Sequence, residues 1–188
     1  MNHLSYPAQR KIKRSLSEQT ENLTQQHRGG AMQITLEFLK EKNACHDGIA
    51  WFEKHIGTSG EYQAVLDALA ADEATPIDWA RWLLETAGKT NDVKVISGDL
   101  TGDRFYFSGE VRITGAAIVK FLLAGEGIKA GGGIKAGGGI EAGGGIKAGE
   151  GFGIFAGIRV KISSWNIYAR IICKSKPQNL ISGFWVEK

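Results

Sequence analysis

Cys45, His46 and Asp47 stand in a row, a thiol, an imidazole and a carboxylate of the kinds that thiol catalysis combines. Neighbouring residues on a helix point about 100° apart, so Cys45 and His46 do not meet. The thiol therefore reads as a buried structural cysteine. Cys45, His46 and His55 offer three metal-binding side chains, but no standard ligand spacing and no obvious fourth ligand. The stretch GEGIKAGGG from Gly125 is rich in glycine yet lacks the Gly-Lys-Ser/Thr ending and the following helix of a phosphate loop. Asp99 and Asp103 carry cation-binding oxygens, and acids at such places usually serve as turn formers. The expectation is a protein that is not an enzyme and holds no cofactor and no metal.

The 188 residues suffice for one domain or two small ones, and an apolar share of 43% supports a core. Two cysteines make no disulfide framework, and the first residues hold no apolar leader, so a reducing cytoplasm is expected. The longest apolar stretch, 115–125, is interrupted by Lys120 and is too short to span a bilayer. Charge is unevenly spread. Residues 1–31 carry five Lys/Arg against two acids, residues 32–92 five against eleven, and residues 93–188 thirteen against seven. The sign change near residue 92 marks a boundary.

Residues 1–31 read as a mobile basic arm ending at Gly29-Gly30, with Arg10, Lys11, Lys13 and Arg14 as a candidate contact to a partner or nucleic acid. Residues 32–90 read as a small helical bundle. Tyr62, Val65, Leu66 and Leu69 fall on one helix face, with Thr58 and Glu61 spaced as a capping box. A second helix is signalled by TPIDWARWLLETAG, where Thr75 can cap, Pro76 takes the first helical position and Gly88 closes. Ile49, Phe52 and Ile56 form a third stripe, and Leu36 and Leu39 a fourth, shorter one. Trp51, Trp79 and Trp82 crowd this domain. Their plain role is core; their functional one is an aromatic patch anchoring a partner, with Trp79 and Trp82 three residues apart on one face.

Residues 93–188 hold the repeat. From Ile128 an isoleucine returns every six residues, at Ile134, Ile140 and Ile146, each followed by Lys or Glu, then Ala, then glycines. In a strand, Ile and Ala two apart point inward and the charged residue between them points out. The glycines are expected to supply positive φ angles at corners. Each hexad is then one strand and one corner, and stacked coils bury an isoleucine ladder that one hexad cannot bury alone. Ile158 is expected to extend this core. Three hexads per coil would stack Lys129 over Lys147; two would stack Lys129 over Glu141. Charge pairing favours two, weakly, because exposed pairs contribute under about 1 kcal/mol. Lys129, Lys135 and Lys147, with Glu141, decorate the outside as candidate partner contacts. Trp165, Tyr168, Phe184 and Trp185 suit closure of the C-terminal end. The fold class expected is α+β, a small helical bundle followed by a parallel β-solenoid of hexapeptide type.

The stretch GEVRITGAAIVKFLLAGEGIKAGGGIKAGGGIEAGGGIKAG resembles the repeats of bactofilin-type, polymer-forming β-solenoid proteins, over roughly residues 105–163. That resemblance implies end-to-end filaments formed without a nucleotide. The helical domain departs from it and would block one solenoid end. Hexapeptide solenoids also occur in acyltransferases, which use a histidine in or beside the solenoid as general base. All four histidines here precede residue 60. A helical head on a Gly-Ile-Lys-Ala solenoid also resembles small phage and mobile-element proteins, which implies an inhibitor of a host defence complex, its acidic head mimicking nucleic-acid charge. The leading expectation is a non-enzymatic protein-binding module. The alternatives are a self-assembling scaffold and nucleic-acid binding through the basic arm.

Overall fold

The computed structural model describes residues 32–158 and 160–188, so the arm with Arg10, Lys11, Lys13 and Arg14 lies outside the described residues. The chain is α+β: a few helices at the N-terminus, then a parallel β-solenoid. The head comprises β1 (Gln33–Thr35), α1 (Leu36–Glu41), α2 (His46–His55), β2 (Ser59–Glu61), α3 (Tyr62–Ala71) and α4 (Ile77–Ala87). Tyr62, Val65, Leu66 and Leu69 are buried on one face of α3, and Phe52 is the buried residue of α2. Two capping expectations are corrected. Residues 59–61 pair antiparallel with 33–35, so Glu61 is the N-cap of α3 without a side-chain bond, and no Thr58–Glu61 box forms. Helix α4 starts at Ile77 behind Pro76, and the Thr75 hydroxyl turns back to the carbonyls of Leu69 and Asp72, at 3.0 and 2.8 Å. Gly88 closes α4 at φ 83°, a left-handed angle that favours glycine.

The solenoid has three faces. The first stacks β3 (Val93–Ile96), β5 (Glu110–Ile113), β7 (Ile128–Ala130) and β10 (Ile146–Lys147). The long strands β4 (Leu100–Phe107) and β6 (Ala117–Ala124) each run across the second and third faces. On the second face β6 is followed by β8 (Ile134–Ala136), β11 (Ile154–Phe155) and β13 (Leu180–Ser182). On the third it is followed by β9 (Ile140–Ala142), β12 (Arg170–Cys173) and β14 (Phe184–Glu187). The strand pairs of the solenoid are parallel.

Ile128 lies beside Ile146 and Lys129 beside Lys147, so one coil spans three hexads. The flat, two-hexad coil is corrected, and so is the charge argument for it. Ile128, Ile134 and Ile140 are completely buried and meet in one interior, with Ala130, Ala136 and Ala142 beside them. Burying one isoleucine contributes about 1.5–3 kcal/mol, more than an exposed like-charge neighbour costs. Glu110 also sits 2.7 Å from the Lys129 ammonium and offsets the lysine stack.

The glycines work differently from expectation. None of the triplets 131–133, 137–139 and 143–145 contains a positive φ. What the first glycine provides in two of the triplets, Gly131 and Gly143, is close approach, whereas Gly137 has ordinary contact distances around it. A methyl on Gly131 would strike the carbonyl oxygen of Thr114 one coil away, and one on Gly143 would strike that of Gly125. Around Gly145 the space is open. Gly143→Ala should therefore destabilise the solenoid by about 1–3 kcal/mol or more, because backbone cannot repack. Gly145→Ala should leave the urea midpoint within experimental error; equal midpoints for the two variants would refute the contact.

Ile158 is corrected from core to surface: it is 58% exposed. At Gly157, φ 69°, the chain leaves the ladder for an excursion through a 3-10 turn (Ile162–Ser164) and α5 (Trp165–Tyr168). It rejoins at β12, where Ile171, fully buried against Ile140, takes the next core position of the third face. Trp185 packs on that core in the last rung, whereas Tyr168 and Phe184 remain exposed and do not close the end.

Candidate functional site

Three tryptophans from two helices converge on one pocket. Trp51 projects from α2, Trp79 and Trp82 from α4, and all three are half-buried around a cavity of about 270 Å³. Leu39, Phe52, Val65, Leu69 and Leu83 give it a buried apolar lining. The Trp51 and Trp79 rings meet edge to face at 6.3 Å, and Trp51 stacks on His55 at 4.9 Å. The Trp51 indole N–H donates to Asp72 at 2.8 Å, which fixes the ring and holds the Asp72 carboxyl below the usual range. Gly48 leaves room beside the Trp79 ring. Cys45 stands exposed at the pocket as the N-cap of α2, its sulfur accepting the Gly48 N–H at 3.4 Å. The buried structural role expected for it is corrected, because helix capping places it at the domain surface. His46 and Asp47 are exposed and 3.5 Å apart. Such a site can grip an apolar side chain by burial.

The head does not swing free of the solenoid. Tyr106, Leu123 and Phe121 of the third face pack into the helical core. Phe121 serves this contact, and Gly138 on the next coil gives its ring space. Glu141 is the acid that takes the place of the lysine after an isoleucine, and it is buried, at 6% exposure, rather than an outer decoration. Both its oxygens accept from Arg81 Nε at 2.8 Å, and Asp78 bonds the same guanidinium. These partners hold Arg81 still more firmly protonated than usual, the Glu141 bond most of all. The lysine at that place in the other hexads would meet Arg81 head on.

The head also covers the first rung at its third face. The Gln63 amide donates to the Tyr106 carbonyl at 2.9 Å and accepts the Ser108 N–H at 3.0 Å, as a further strand would. The Arg104 guanidinium collects the carbonyls of Asp72, Glu73 and Thr75 at 2.8–3.1 Å, at the end of α3 where the helix dipole is negative. On the first face, Lys94 stands exposed at the register of the buried Val111.

Of the predicted lysines, Lys129 and Lys147 share the first face with Arg112, while Lys135 lies on the second, beside Ile118 and Phe155. Arg112 and Lys129 both bond Glu110, Arg112 the more strongly, and lower its carboxyl to about 2. Its folded value lies below the ordinary 4.5, so the stabilisation is complete above about pH 4.5 and is lost as pH falls towards 2. Glu110→Gln should flatten the melting temperature against pH across that window. A drop as steep as in the parent would refute the pairing.

Residues 32–91 match the family model described as the YdhT N-terminal domain. The matched segment is the helical head, with its tryptophan pocket, Gln63 and Arg81, and it ends just before β3. No curated protein and no solved structure matches the chain.

Sequence reasoning offered Trp51, Trp79 and Trp82 as core or as an anchoring patch, with Trp79 and Trp82 on one face, and the structure half-buries all three around one pocket. Arg81, Gln63 and Arg104 were missed as residues joining head to solenoid. One signal was available for the first: a single glutamate in a lysine series asks for a buried cation. Among the described residues, no helix is long and apolar enough to cross a membrane.

Proposed function

We propose that the chain is a non-enzymatic, cytoplasmic protein-binding module whose head captures an apolar side chain of another protein in the tryptophan pocket. The observation that carries this reading is Trp51, Trp79 and Trp82 half-exposed around one apolar cavity. Tryptophans in pockets are the residues that most often dominate interface energies. The net charge of −6 over residues 32–92, five Lys/Arg against eleven acids, steers basic partners towards it. The solenoid then serves as a rigid mount. Inhibition of a host defence complex by a phage-encoded protein is the narrower form of this reading, and it rests on the sequence resemblance alone.

Capture from bacterial lysate with the parent chain and with Trp79→Ala/Trp82→Ala tests the proposal. One protein retained by the parent and lost with the double variant, at unchanged circular dichroism, is the expected result. Identical retention by both would overturn it. The filament reading is disfavoured by Gln63 and Lys94, which obstruct end-to-end stacking at the first rung. Nucleic-acid binding finds on the first face a basic column that Glu110 partly neutralises.

A further inference from the structure

Of the ten large apolar residues exposed among the described ones, seven follow residue 150. Ile162 is 77% exposed, Ile181 64%, Ile167 62% and Phe184 48%. The excursion and the last rung are joined. The Phe184 N–H donates to the Ala169 carbonyl at 3.0 Å, directly after Tyr168, and Gly183 lies against Ala169 and Ala156. Ile181 in turn lies beside Gly153, against which Phe155 also packs. At these exposures Ile162, Ile167, Ile181 and Phe184 together present roughly 450 Å² of surface. That is in the range of the largest patch on a typical monomer, about 300–600 Å², which often marks an interaction site.

Among the described residues, strands β13 and β14 are the outermost strands of their sheet, and each leaves one backbone edge unpaired. That edge selects the partner. Lipid cannot satisfy free strand N–H and C=O groups, which argues against a membrane surface. The first rung of another copy is obstructed by its own Gln63 and Lys94. The same C-terminal edge of a second copy is open, apolar and, about a two-fold axis, antiparallel to it.

We propose that the chain forms a closed tail-to-tail dimer through the C-terminal end of the solenoid, burying Ile162, Ile167, Ile181 and Phe184 against a second copy. The heads point outward, so assembly stops at two and both tryptophan pockets stay free. The proposal stands independently of what those pockets bind.

Sedimentation velocity and light scattering of the full chain at about 50 μM test it. The expected mass is near 41 kDa, twice the chain's 20.3 kDa. Ile181→Lys should raise the dissociation constant at least about tenfold, an interface loss of about 1.4 kcal/mol. Ile162→Asp/Ile167→Asp, outside the strand ladder, should do the same at unchanged circular dichroism, which keeps the test valid should Ile181→Lys misfold. Lys174 and Lys176 follow β12 on both copies, so raising salt from 0.05 to 0.5 M should leave the dimer intact or tighten it. Three results would each overturn the proposal. One is a parent chain that is monomeric at this concentration. A second is a series of growing species that dissolve in salt, which marks acidic head against basic tail. The third is a monomer that co-sediments with phosphatidylglycerol vesicles.

Discussion

Glu141→Lys, which writes the lysine of the other hexads into the third face, should release the head from the solenoid. The substitution places an ammonium against the Arg81 guanidinium where Glu141 is now buried and bonded through both oxygens. Removing one partner of a buried ion pair costs about 3–5 kcal/mol; Arg81 keeps Asp78 and is partly exposed, which puts the loss of Glu141 towards the lower end, and the like charge of the lysine adds to it. The solenoid core does not include this side chain, so the ladder should persist while the head undocks. The expected readout is hydrogen exchange. Amides of α4 and of the third face around Leu123 should lose protection, while those at Ile128 and Ile134 keep theirs. Lys135→Glu, the reverse swap on the exposed second face, should change stability by less than about 0.5 kcal/mol. Arg81→Glu combined with Glu141→Lys should recover part of the loss, since the pair is restored with its charges exchanged. Equal protection in Glu141→Lys and the parent would remove the ion pair as the fastening.

Ile134→Asp together with Ile140→Asp has a larger expected effect, loss of the solenoid itself. Both side chains are fully buried, and neighbouring coils place Ala117 and Ile154 beside Ile134, and Leu122 and Ile171 beside Ile140. Those positions offer apolar side chains, and none of them can pair with a carboxylate. Each acid either ionises without a partner or takes up a proton at a cost of several kcal/mol, and two of them approach the whole stability of a domain, about 5–15 kcal/mol. The β signal in circular dichroism should disappear at 25 °C. Ile158→Asp, by contrast, changes an exposed side chain off the ladder and should leave the spectrum and the melting temperature near those of the parent. A chain that keeps its β signal with both core acids in place would mean that the Gly125–Gly151 stretch carries no packed core.

Much of the architecture was legible in the chain. The six-residue return of isoleucine with alanine two places on is a strand period folded into a coil, and it located the buried ladder at Ile128, Ile134, Ile140 and Ile146. Tyr62, Val65, Leu66 and Leu69 disclosed α3 because their spacing makes one helix face, and that face is buried. The local capping pattern around Thr58 failed because a strand pair, formed between residues distant in sequence, claimed 59–61 first. Ile158 failed for a related reason. Its β-branched, alternating neighbourhood is strand-like, yet the rung it would have entered belongs to Ile171, beyond the excursion.

The candidate site was legible in composition and not in geometry. Tryptophans at 51, 79 and 82 mark a domain unusually rich in large rings, but a shared pocket depends on how α2 crosses α4. The sequence by itself determined what repeats every six residues, which side chains face inward and where the acidic head gives way to the basic repeat, since these follow from backbone period and local composition. Only the tertiary structure decided that three hexads close a coil, because a six-residue period is compatible with either number of sides and only the filling of the interior distinguishes them. Only it decided that Glu141 is a fastening and the tail an open apolar end, because burial is a property of what comes to lie beside a residue.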